Sequence, residues 1–135
     1  MRATRPSRSI FLPVSLGLSL VSWCASAADS PKKAAAHVDF NRDIRPILSE
    51  NCYKCHGPDD GARKAKLRFD IRAEALKPAK SGEIPIVPGS PEKSQMVSRI
   101  TASDPDERMP SIKSGKTLSP TQIDLLKRWV AEGAP

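Results

Sequence analysis

Cysteine, histidine and aromatic residues are scarce in this chain. Its 135 residues include three cysteines and two histidines, and aromatics make up 4 %. Cys24 lies in an N-terminal leader, so only Cys52 and Cys55 remain beyond it, and a disulfide framework is excluded. Phe40, Tyr53, Phe69 and Trp129 are the aromatics left after residue 27, too few for a large aromatic core. They do not interleave with the cations, so the basic charge lacks the pattern of a nucleic-acid surface. No apolar run reaches the roughly 20 residues that span a bilayer, so no stable membrane span is expected. No internal repeat is visible.

The first 27 residues read as a cleaved signal peptide. Arg2, Arg5 and Arg8 form a basic start, residues 10–23 an apolar run, and Ala25-Ser26-Ala27 the cleavage site. The cut removes three of the 22 Lys and Arg residues and none of the 15 Asp and Glu, leaving a net charge of about +4. Residues 28–37 read as a flexible linker and 38–135 as one domain. Such a leader sends the domain out of the cytoplasm, to a periplasm or an equivalent compartment.

Helical periodicity dominates the domain. Phe40, Ile44, Ile47 and Leu48 share one helical face, and Pro46 makes the helix start or bend near Arg45. That helix delivers Cys52 at its end, and Gly57-Pro58 stops it. Leu67 to Asp70 alternates like a short extended piece, and Asp70 is expected to cap a helix over Ile71 to Lys77. Ser90-Pro91 predicts a helix start, with Met96, Val97 and Ile100 on its apolar side. The last helix has the clearest signals. Ser119, Pro120 and Gln122 form a capping box, Leu118 and Ile123 a staple, and Gly133 the residue after its end. The expected fold is all-α, with short helices and Pro-rich loops.

Cys52-Tyr53-Lys54-Cys55-His56 carries the chemistry. C-x-x-C-H is the attachment signature of c-type haem: two thiols on one turn add to the vinyl groups, and the next residue offers an imidazole to the iron. A thioredoxin-like dithiol needs a preceding strand and a parallel sheet, whereas a helical pattern precedes this pair. A zinc site needs four ligands, and His37, in the linker, is the only further candidate. The reading is therefore one covalent haem c, held by Cys52 and Cys55 with His56 as proximal ligand. The other ring nitrogen of His56 is expected to donate to a carbonyl.

Met96 and Met109 are the methionines of the domain. Met96 lies on a helix face and reads as core. Met109, in a Pro-rich loop, is the favoured sixth ligand, with His37 a remote third option. Arg63, Lys64 and Lys66, with Arg68, form a basic cluster where an acidic redox partner could dock. No acid, base or nucleophile constellation points to an enzyme. The expected role is one-electron transfer. The alternative is a ligand-binding, sensor or peroxidase-like module with an open sixth iron position.

Val38 to Leu48, the motif with Gly57-Pro58, Val87 to Ser94, Asp104 to Pro110 and Leu118-Ser119-Pro120 together resemble the planctomycete-type cytochrome c domain. The resemblance spans residues 38–134. It implies a small class I-like cytochrome c fold around one haem and supports Met109 as the distal ligand. In that family the domain usually stands ahead of further domains in longer proteins, and that larger context is not carried over here.

Overall fold

The computed structural model describes residues 37–135. The leader, and the linker up to residue 36, lie outside the described residues. The described chain is all-helical and contains no strand. A π-helical turn, Phe40–Ile44, leads into α1 (Arg45–Asn51), followed by α2 (Tyr53–His56), α3 (Arg72–Ala75), α4 (Gln95–Ile100) and α5 (Pro120–Ala131). Single 3-10 turns lie at Pro91–Lys93 and Ile112–Ser114. No helix among these is long and apolar enough to cross a membrane.

Pro46 falls in the first turn of α1, the position that best tolerates its missing N–H. The π-turn before it absorbs the bend. Asp39 caps that turn: its carboxylate accepts from the Arg42 amide at 2.7 Å, and its own amide donates to Asp43 at 2.9 Å. The Arg42 guanidinium, hydrogen-bonded to the Asp43 carboxylate, lowers that acid's pKa to about 2.

α5 forms as its sequence dictates. Ser119 Oγ accepts from the Gln122 amide at 3.2 Å, and Gln122 Oε1 accepts from the Ser119 amide at 2.9 Å. At the far end Gly133 has φ of 95°, and the amides of Gly133 and Ala134 donate to Val130 (3.0 Å) and Trp129 (2.9 Å). That pair of bonds is a Schellman ending. Leu126, Trp129 and Val130 are buried. The Trp129 ring lies 5.7 Å from that of Phe40, which ties α5 to the chain entering α1. Ile44, Ile47 and Leu48 complete this part of the core.

Three local expectations are corrected. Ser90 does not cap a continuous helix. Pro91–Lys93 is a lone 3-10 turn, and α4 starts afresh at Ser94. The buried Ser94 hydroxyl accepts from the Val87 amide and donates to the Ser90 carbonyl, both at 2.9 Å. A side chain bonded back to the preceding turn breaks the helix there. Asp70 does not cap α3, because its carboxylate is taken by the Arg68 guanidinium, and that helix is a single turn. Residues 67–70 form no strand: 67 and 68 are irregular and 69 and 70 lie in a turn.

Ser119→Ala removes one half of the capping box without touching the core. It should lower unfolding stability by about 1 kcal/mol, measured as a lower urea midpoint at unchanged slope. No change would show that Leu118 and Pro120 suffice to start α5.

Candidate functional site

The motif sits where two helices meet end to end. Cys52 closes α1, its amide donating to the Leu48 carbonyl at 2.8 Å. Its own carbonyl then accepts from the amides of Cys55 (3.1 Å) and His56 (2.8 Å). One carbonyl thus winds Cys52, Cys55 and His56 onto a single turn. Gly57 ends that turn for a steric reason: a Cβ there would lie 2.3 Å from the Tyr53 carbonyl oxygen. Only a residue without a side chain fits.

Past Gly57 the chain doubles back on the motif. The Lys64 amide donates to the Cys55 carbonyl at 2.7 Å, and the Phe69 amide to the His56 carbonyl at 2.8 Å. His56 Nδ1 lies 3.3 Å from the Lys64 carbonyl oxygen, so the ring donates there and Nε2 keeps its lone pair. This is the acceptor that the sequence leaves unidentified. The Phe69 ring meets the His56 ring edge-on, with centroids 5.8 Å apart. Burial lowers the His56 pKa and favours the neutral imidazole that can bind a metal.

Both cysteines are free and partly buried. Burial, aided by the neighbouring Cys55, pushes the Cys52 thiol up to about 11. A thioredoxin-like dithiol needs a strand before it in a βαβ context, and the described residues form no strand, so that role does not fit. A zinc site does not fit either. His37 stands at Glu132, its Nδ1 paired with that carboxylate. Among the described residues no group of three or more His, Cys, Asp or Glu converges to hold a metal.

Cys52, Cys55 and His56 line a cavity of about 390 Å³. Both methionines line it too. Met96 comes from α4 and is 5 % exposed, as a core residue would be, while Met109 comes from a loop and is 38 % exposed. The Met109 amide donates to the Arg99 carbonyl at 2.9 Å, which fixes the loop on α4. Leu67, Phe69, Pro85 and Ile100 supply apolar wall. A flat apolar macrocycle that takes two thioethers and two axial donors suits these residues: two thiols, an imidazole and thioether sulfurs around an apolar space. His37 does not line the cavity.

The basic cluster is not uniform. The Arg63 side chain is 15 % exposed, its guanidinium donating to the carbonyls of Gly57 and Pro58 and pairing with Asp60. Arg68 pairs with Asp70. Lys64 and Lys66 remain exposed.

The family model of planctomycete cytochrome C matches residues 52–111, from the first motif cysteine to just beyond Met109. This agrees with the resemblance drawn from the sequence. It supports a haem-binding cytochrome domain, and that family implies covalently bound haem c. No curated protein and no solved structure matches the chain.

The stop at Gly57 is directly testable. Gly57→Ala should destabilise the protein by about 1–3 kcal/mol through forced backbone movement. Gly61→Ala, whose Cβ would meet only an ordinary 3.5 Å contact with Asp59, should be near neutral. Equal urea midpoints for the two variants would remove the Tyr53 carbonyl as the reason the helix ends.

Proposed function

We propose, on the premise that residues 52–111 are planctomycete cytochrome C sequence, that the domain is an exported electron carrier. The observation that carries this reading is the convergence of Cys52, Cys55, His56 and Met109 on one apolar cavity. Cys52 and Cys55 would hold the haem by thioethers, each thiol adding across one vinyl group with its proton going to the other vinyl carbon, so that no oxidant would be needed. Cys52 and Cys55, three positions apart on one turn, suit that addition. The bound haem supplies a one-electron Fe(III)/Fe(II) couple.

His56 presents a neutral imidazole whose orientation is set by the Lys64 carbonyl. Met109 is the favoured sixth ligand. Its loop position leaves the sulfur without a packing role of its own, and its amide bond to Arg99 holds it at the cavity wall. A thioether in that place closes the iron to substrates and raises its potential. Met96, deep among core side chains, fills space. The apolar run and Ala25-Ser26-Ala27 support export to an extracytoplasmic compartment. An acidic redox partner would meet Lys64 and Lys66. Its reaction rate should then fall as salt rises.

A denaturing gel of the extracytoplasmic fraction, stained for haem, tests the attachment. The stain should stay with the wild-type chain and leave the Cys52→Ser, Cys55→Ser double variant. An unstained wild type would sink the cytochrome reading.

The oxidised visible spectrum tests the ligand. Met109→Ala should abolish the weak far-red sulfur-to-iron band and lower the potential, and Met96→Leu should keep both. A high-spin wild-type spectrum would instead mean an open sixth position and would end the electron-carrier reading.

A further inference from the structure

Arg63 is the unusual cation of this domain. It sits in a basic run, yet its guanidinium is turned inward. Nε donates to the Gly57 carbonyl at 2.9 Å and Nη2 to the Pro58 carbonyl at 2.8 Å. The fork thereby ties the end of the 57–63 loop to its beginning. Arginine suits the task, because its planar guanidinium reaches two successive carbonyls where a lysine ammonium serves as a point charge.

The next residue is the one that touches the motif. Lys64 is held through its backbone: its amide donates to Cys55 and its carbonyl faces His56 Nδ1. The same carbonyl also accepts from the Leu67 amide at 3.1 Å. The chain between is bent sharply, since Ala65 and Lys66 have φ of 52° and 57°. Two successive non-glycine residues at positive φ are unfavourable and persist only where surrounding contacts over-determine them.

We propose that Arg63 is a positioning residue for the proximal histidine: by closing the 57–63 loop it aims the Lys64 carbonyl at His56 Nδ1 and so tunes the electron donation of the imidazole. The proposal rests on the haem reading above. A hydrogen bond from the second ring nitrogen to a carbonyl makes the imidazole a stronger donor. Stronger donation favours Fe(III) and lowers the reduction potential. Arg63 therefore acts against its own charge, because a cation near the iron favours Fe(II) and raises the potential.

That opposition of sign supplies the test, made on the haem-loaded full-length protein. Arg63→Ala should raise the midpoint potential and speed exchange of the His56 Nδ1 proton in the reduced form about tenfold, as expected for one lost hydrogen bond. Arg63→Lys, which keeps the charge but not the fork, should move both readouts the same way by less. Lys64→Ala removes a charge and leaves the carbonyl in place, so the potential should fall slightly and the proton should exchange as in wild type. A potential that falls or stays put in Arg63→Ala overturns the proposal. If that variant does not accumulate, an unchanged potential and exchange rate in Arg63→Lys overturn it. A wild-type chain without covalent haem would fail at the earlier step and condemn the haem reading instead.

Discussion

No side chain fits at residue 57, and the geometry of the site descends from that. The Tyr53 carbonyl occupies the space a Cβ would need, so only glycine can take the extended conformation in which the turn carrying the cysteines ends after His56. A longer helix would carry residues 58–64 away from the motif. Because it stops, the chain reverses and Lys64 returns both its amide and its carbonyl to Cys55 and His56. A one-turn helix such as α2 has no stability of its own. It exists because the carbonyls of Cys55 and His56, which a lone turn would leave exposed, accept bonds from Lys64 and Phe69.

The Met109 loop is held by a different chain of constraints. α4 has only six residues, again too few to stand alone. Its first amides, those of Gln95 and Met96, are taken by the carbonyls of Ile84 and Pro85, and the buried Ser94 hydroxyl fixes the turn before it. Arg99 passes that order on. Its carbonyl holds the Met109 amide, and its guanidinium pairs with Glu107 two residues before Met109. Position thus travels from residue 84 to residue 109 mainly through backbone groups. Several side chains of this stretch can therefore vary more freely than its path.

What could be read from the sequence was what is decided within a few residues. The ends of α5 were readable because Ser119, Gln122 and Gly133 act on their immediate neighbours. The all-helical class and the C-x-x-C-H motif were readable for the same reason. What escaped were competitions between possible partners. Asp70 could have capped α3, but Arg68 claims it. Ser90 could have started a helix, but Ser94 bonds back to it. Arg63 read as part of an exposed docking cluster because nothing in its neighbourhood announces that the loop closes on it. The acceptor of His56 was out of reach, since it is a backbone carbonyl eight residues on, brought round by positive φ angles at Ala65 and Lys66 that neither residue type advertises.

The scarcity of aromatics finds its explanation in the cavity. The buried side chains of the π-turn, α1 and α5, Ile44, Leu48, Leu126 and Val130 among them, form a compact aliphatic cluster. Phe69, Met96 and Ile100 belong to the same core but also line the cavity. The cavity of about 390 Å³ is mostly apolar and opens to solvent, so without an occupant its apolar walls face water. A haem in that space does the work that large side chains do elsewhere. The cofactor would then be part of the core, packed against the helices that present Cys52 and His56 and the loop that presents Met109.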